Sequence, residues 1–479
     1  MSGDLPPTGP QIGADEWVAR ADEHRVSHGG VRGAIERAVE RVHPAIRFGV
    51  IVTAAGVFGI ATSDQYYQRV GFNTLYYAIL ALGLNVVVGW AGLLDLGYVA
   101  FFGIGAYTYA FLDSPQYRLH WPPIATMAIA TVGCAIVGLF VGLPSRRLLG
   151  DYLAIVTLFF GQIFYNVVGN LSITNGPNGL TNLDPLSFFG YQINSVRAYY
   201  YVALVLFVLV VVVLWLVNHS RTGRAWRSLR EDPLAAQLLG MPINPLKLLA
   251  FSFGAGVAGL TGVLFAALEV NIFPSNFYLD VLITLYAIVV LGGAGSMAGA
   301  MLGAFSITVG IEILNSTGSS PTLFYLSASR LFYIGMGVAL VLWLRPWRWF
   351  AVVVCGAIGL GFAFNAIVTA AWPSGTHPQP GSNQSQFVSG WMIELTSPTH
   401  IGNFAYVALI GAVLGLTLVK GWLRKALLIP LIYLAAFVWE NELVLNPSVT
   451  ALILLGALLV ALMVVRPSGL LGTSRVEIV

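Results

Sequence analysis

Residues Leu82–Phe111 read LGLNVVVGWAGLLDLGYVAFFGIGAYTYAF. The run is long and apolar enough to enter a bilayer, yet Gly89, Gly92, Gly97, Gly103 and Gly105 interrupt it, and Asn85 and Asp95 are set into it. A helix kept only for anchoring has no need of such interruptions. Glycine lets backbones approach closely, and non-helical backbone at membrane depth is tolerated only where protein buries it or it lines a cavity. Short, Gly-broken hydrophobic segments point to a transport pathway. Close packing in a helical bundle is the plainer alternative for any one of these glycines.

The rest of the chain agrees with a membrane setting. Of 479 residues, 57% are hydrophobic and 9% charged, against roughly 25% charged in a soluble domain. The composition therefore specifies an all-α polytopic membrane protein. Apolar runs fall near residues 47–62, 73–92, 98–112, 122–143, 151–170, 198–218, 248–268, 279–293, 297–315, 325–344, 348–371, 401–419, 425–440 and 449–465. That makes about fourteen transmembrane segments, some of them short and Gly-broken. Three regions are expected: a tail at 1–45, a transmembrane domain at 46–345 with a loop at 219–247, and a transmembrane extension at 346–479.

Charge sets the expected orientation. With the N-terminus inside, Arg146 and Arg147, the cluster from His219 to Lys247, Arg345 and Arg348, Lys420 to Lys425, and Arg466 and Arg475 share one face. Arg69, Arg118 and Arg197 fall on the other. The positive-inside rule then places both termini in the cytoplasm. The tail is polar and without a cleavable signal peptide. Within it, Val31, Ile35, Ala38, Val39 and Val42 recur at helical spacing and predict a short amphipathic surface helix.

A second broken run, Tyr286–Asn315, carries Gly292, Gly293, Gly295 and Gly299 between two short apolar segments. It repeats the first in parallel orientation, both breaks facing the cytoplasm. Outside the spans, Leu171–Arg197 is rich in turn signals such as Asn175-Gly176-Pro177, and Trp372–His400 is rich in Ser, Gly and Pro. Either could meet an external partner or serve as a solvated connector.

The loop Arg221–Lys247 reads RTGRAWRSLREDPLAAQLLGMPINPLK. Asp232 followed by Pro233 predicts a helix start, and Gly240 followed by Pro242 its end. Leu234, Leu238 and Leu239 form an apolar face, and Ala235 and Ala236 keep one side slim. Such a helix suits insertion into a groove on another protein; a simple interfacial connector is the alternative.

LAAQLLG, with Leu234 in place of a glutamate, resembles the coupling motif of ABC importer permeases. LGLNVVVGWAG, LDLGYVAFFGIGAY, GDYLAIVTLFFGQI, TNGPNGL, VVLGGAGSMAGAMLGA and the ending RPSGLLG are similar to motifs of the LivM family, in family order. The resemblance implies a permease subunit moving branched-chain or related amino acids across the cell membrane. It further implies a second, LivH-like permease, two cytoplasmic ATPase subunits that hydrolyse ATP, and an extracytoplasmic substrate-binding protein. Asn85, Gly97, Tyr98, Phe101, Gly105, Tyr107, Gly292, Gly293 and Gly295 are the expected substrate pathway. Asp232, Leu234, Ala235, Ala236 and Gly240 are expected to couple to the ATPase, with Arg224 and Arg227 pairing its acidic residues. The chain departs from the family in its longer tail and in the apolar runs between Leu344-Arg345-Pro346 and Val465-Arg466-Pro467.

Other chemistry finds no support in the sequence. A phosphate-binding Gly-Lys-Ser/Thr loop is absent, so no ATP binding is expected of this chain. Neither the seven histidines nor Cys134 and Cys355 have metal-ligand spacing, so no metal or other cofactor is expected. Glu312 is the main carboxylate within a span. A secondary transporter or channel working alone would depend on such a group; an assembly or signalling protein with a degenerate pathway would carry no flux.

Overall fold

The computed structural model describes residues 44–113, 120–146, 151–188, 191–316, 330–343, 347–371, 391, 393, 399–419, 422–443, 453, 456 and 469–471. Two compact units divide the chain, Met1–Ser63 and Asp64–Val479. The first contributes helix α1, Pro44–Ala61. The amphipathic helix expected at 31–42 and most of the span expected at 449–465 lie outside the described residues.

In the second unit the helices follow the apolar runs. They are α2 (Gln65–Leu84, continued by a π-helical turn Asn85–Trp90), α3 (Tyr98–Leu112), α4 (Pro123–Gly142), α5 (Asp151–Asn170) and α6 (Val196–His219). Helices α7 (Arg221–Glu231) and α8 (Pro233–Leu238) come next, then α9 (Ile243–Glu269), α10 (Leu279–Gly292) and α11 (Met297–Ser316). The extension adds α12 (Arg330–Trp343), α13 (Trp347–Ala371), α14 (Thr399–Leu418) and α15 (Trp422–Val438, continued by a π-helical turn Trp439–Leu443). Seven helices among the described residues are long and apolar enough to cross a membrane, and shorter apolar helices accompany them. The described strands are two residues each, Ser187–Phe188 paired antiparallel with Tyr191–Gln192.

Helix α9 is the axis of the unit and packs along α4 and α3. Small residues permit this. A Cβ on Gly105 would overlap the Gly259 carbonyl, and one on Gly262 would overlap the Phe102 carbonyl, so α3 and α9 touch backbone to backbone. Helix α2 packs on α6 and α11, and α11 on α10. The α10–α11 contact has the same cause, because Gly292 and Gly299 lie against each other's carbonyls.

The two ends of the bundle differ. At one, Arg69 Nη2 bonds both carboxylate oxygens of Glu269 at 2.6 and 2.7 Å. There the loop after α5 turns through Asn175 and Gly176, both at positive φ, and returns to bridge Leu180 with Ile272. At the other end lie α7, α8 and both glycine breaks. The α2–α3 and α10–α11 pairs therefore turn at the same end, as the repeat in the sequence predicts.

The extension helices pack on one another, α15 touching both α13 and α14. Two apolar clusters hold them. One contains Trp391, Ile393, Tyr433, Ala436 and Phe437, the other Leu340, Val353, Ala357, Leu428 and Ile432. The described part of the RPSGLLG ending returns to the main bundle: Leu470 and Leu471 donate their amides to Leu291 O and Gly292 O, each at 2.9 Å. These are carbonyls that the last turn of α10 leaves without partners of its own.

Candidate functional site

The α2–α3 break is built from a helix that loosens before it ends. Asn85–Trp90 is π-helical, so Ala91 N reaches back five residues to Val86 O at 3.1 Å. π-turns inside α-helices mark functional positions more often than other helical turns do. Gly92, at φ +69°, then carries the chain out of the helix. The extended stretch is held from both sides. Asp95 N donates to Tyr286 Oη at 3.1 Å, Tyr286 Oη donates to Asp95 O at 2.8 Å, and Leu96 N donates to Thr157 Oγ1 at 2.9 Å. Asp95 Oδ1 accepts from Gly97 N at 3.0 Å, which starts α3.

The α10–α11 break, Gly293–Ser296, is shorter. Gly293 and Gly295 adopt φ +107° and +96°, conformations open to glycine and costly for a side chain. The two breaks meet. Asn85 Oδ1 accepts from Gly295 N at 2.7 Å, and Trp90 Nε1 donates to Gly295 O at 3.1 Å.

Helix α7 lies directly beneath this junction. Ser220 caps its start, its hydroxyl accepting from Gly223 N at 3.3 Å. Trp226 is buried, donates Nε1 to Leu246 O at 2.9 Å and stacks on Trp90 with ring centroids 6.4 Å apart. Arg230, one turn on, donates Nη1 to Gly89 O and also to Ala294 O at 3.4 Å. Each of those carbonyls belongs to a different break.

Helix α8 follows at once. Asp232 Oδ1 accepts from Leu234 N at 2.8 Å and Ala235 N at 3.0 Å, the expected N-cap, and Gly240 at φ +80° ends the turn. Ala236 is buried, whereas Leu234, Leu238 and Leu239 are 73%, 89% and 78% exposed. Apolar side chains so exposed on a capped, outward-facing helix are unusual unless a partner covers them. Arg224 and Arg227 donate to the last carbonyls of α6, His219 O at 3.0 Å and Asn218 O at 3.1 Å. In this chain their guanidinium groups close the end of α6.

The residues expected on a pathway divide into two sets. Asn85, Gly292, Gly293 and Gly295 come together at the junction. Gly97, Tyr98, Phe101, Gly105 and Tyr107 run up α3, and each is in contact with protein. Gly97 lies against the Thr157 carbonyl, and Tyr98 Oη donates to Leu80 O at 3.0 Å. Phe101 packs on Phe160 at 5.3 Å. Tyr107 sits among Phe111, Phe164 and Phe277, its buried hydroxyl without a partner among the described residues. Asn85 Nδ2 and Asp95 Oδ2 are likewise buried and unpartnered there.

A family model described as branched-chain amino acid transport system / permease component matches residues 69–342. The chain belongs to this permease family. It is 37% identical over 297 residues to the high-affinity branched-chain amino acid transport system permease protein LivM of Escherichia coli, covering 57% of this chain and 67% of that protein. It is 28% identical over 263 residues to a probable LivM permease of Methanocaldococcus jannaschii, covering 48% of this chain and 75% of that one. The LivH permease of Escherichia coli is 26% identical over 256 residues, covering 50% and 82%. No solved structure matches. The family match ends at 342, within α12, so helices α13–α15 lie beyond it.

Arg230, Trp226 and Trp90 were not among the residues singled out from the sequence. For Trp226 and Arg230 the signal was present in the helical spacing of the loop; Trp90 lies outside it, in the π-turn. Trp226 and Arg230 are four residues apart, hence on one face, and Leu229 joins them there. Arg224 and Arg227 lie off that face.

Proposed function

We propose that the chain is a LivM-type permease subunit of an ABC importer for branched-chain or related amino acids. It pairs with a second, LivH-like permease. Two ATPase subunits dock at α8 and hydrolyse the ATP, and an extracytoplasmic protein delivers the substrate. The chain itself holds no cofactor. The end bearing α7 and α8 faces the cytoplasm, in keeping with its clustered arginines, and both termini lie on that side of the cell membrane. The organisation follows the three regions read from the sequence: a tail, a permease domain to about Arg345, and an extension ending in the family-like RPSGLLG.

One observation supports this reading above the rest. A slim, capped helix presents three exposed leucines right beside the junction of two glycine-broken helix pairs. Binding in a groove on an ATPase would cover the leucines and place its movement within one helical turn of the breaks. The small side chains there let backbone shift without rebuilding a packed core.

The test is uptake by the assembled complex in liposomes. With binding protein outside and ATP inside, labelled leucine should accumulate. Replacing Leu234, Leu238 and Leu239 by serine should abolish uptake while the permease still inserts. Uptake driven by a proton or sodium gradient and indifferent to ATP would overturn the reading.

A further inference from the structure

The structure places one cation at the ends of two helices that the sequence holds far apart. Helix α2, through its π-turn, and helix α10 both finish at the junction, and the last carbonyls of a helix carry its negative partial charge. Arg230 Nη1 donates to Gly89 O at the end of the first and to Ala294 O just beyond the second. Both breaks are shaped to admit it. A Cβ on Gly92 would lie 3.0–3.2 Å from Arg230 Cγ, Cα and Cβ, and one on Gly295 would overlap Arg230 Nη1. Helix α7 carries Arg230, which Glu231 alone separates from the Asp232 cap of α8. Trp226 fixes the same face of α7 against Trp90.

We propose that Arg230 is a positioning residue for transport, the tie through which movement of α8 reaches both glycine breaks together. It contacts no substrate. A pull on α7 displaces Gly89 and Ala294 at once, because a single guanidinium nitrogen holds both. Without it the breaks remain joined through Asn85 and Gly295, and Trp226 still touches Trp90, but no side chain of the cytoplasmic helix pair bonds to both breaks at once. This inference rests on the reading of the chain as an ATP-driven permease.

The experiment compares Arg230→Gln and Arg230→Lys in the full complex in liposomes. It measures ATP hydrolysis and leucine uptake in the same vesicles, with complex recovery by size exclusion. For Arg230→Gln, hydrolysis should persist while uptake per ATP falls about tenfold. Arg230→Lys, which restores a cation at both helix ends, should recover part of that ratio. A residue that only stabilised the fold would lower recovery, hydrolysis and uptake in step, leaving the ratio unchanged, and that result overturns the proposal. So does an unchanged ratio in a well-assembled Arg230→Gln complex. If Arg230→Gln fails to assemble, Arg230→Lys alone decides: a lowered ratio supports the tie and a wild-type ratio rejects it. Failure of the wild-type complex to couple uptake to ATP would reject the transport reading itself, which is a distinct outcome.

Discussion

Asn85 and Gly295 are joined by a 2.7 Å hydrogen bond from the Gly295 amide to the Asn85 side chain, across 210 residues of sequence. The contact links the two glycine breaks directly. Asn85 is buried and Gly295 half-buried, so the bond is partly shielded from water. Replacing Asn85 by alanine leaves the N–H of the half-buried Gly295 without this acceptor, at a cost of about 1 kcal/mol. Thermal unfolding of the purified complex should show a lower midpoint for Asn85→Ala. Asn85→Asp keeps the acceptor but adds a charge to a buried site, and should also lower the midpoint. An unchanged midpoint for both would show that the bond does not hold the breaks together.

The α3–α9 crossing yields a sharper contrast. Gly105 abuts the Gly259 carbonyl, whereas Gly133, on α4, has nothing within 4 Å of where a Cβ would stand. Gly105→Ala must push two helices apart, an overpacking cost of about 1–3 kcal/mol. Gly133→Ala should be neutral or slightly stabilising, since alanine is the better helix former. Parallel melting curves of the two variants check this, and equal behaviour would contradict the crossing.

Much of this architecture was legible in the sequence, for a physical reason. Membrane helices must be apolar along their length, so the apolar runs mark most of the long helices, although α2 begins eight residues before its run and the polar α7 lies in none. Asp232-Pro233 and Gly240 bounded α8 because capping chemistry is local. Partnership between distant segments is not local. Nothing in Asn85 or Gly295 alone announces the other, and the return of Leu470 and Leu471 to the end of α10 was equally hidden. Glycines give least away. Gly105 and Gly292, expected on the pathway, each touch the backbone of a neighbouring helix, and the same small residue serves a lumen or a tight crossing.

The α8 helix offers a separation of stability from assembly. Asp232→Ala removes a cap that accepts from two amides, costing about 0.5–2 kcal/mol of local helix stability. Asp232→Asn should retain most of it. Leu238 is 89% exposed, so Leu238→Glu should leave the melting midpoint of the isolated permease pair unchanged. Both Asp232→Ala and Leu238→Glu should reduce copurification of the ATPase, the first through the fold of α8 and the second through its surface. Full copurification with Leu238→Glu would remove α8 from the docking surface.

At the opposite end, Asp113 closes α3 and is buried. Burial pushes its carboxyl up from the ordinary 3.8 to about 6, with Asp184 adding to the rise and the Thr126 hydroxyl and His120 opposing it. The sign follows from proton counting. Between about pH 4 and 6 the folded state holds the Asp113 proton while the unfolded chain has released it. This group therefore favours the folded state increasingly as pH falls through that window, and its charged form burdens the fold above it. Asp113→Asn, which stays neutral and can keep a contact with Thr126, should raise the melting midpoint at pH 7.5. Its advantage should shrink on acidification and vanish below about pH 4. Midpoints of wild type and Asp113→Asn measured at half-unit intervals from pH 4 to 8 decide it. A constant offset between them would mean that the folded and unfolded states bind the Asp113 proton alike, so that its carboxyl is not raised.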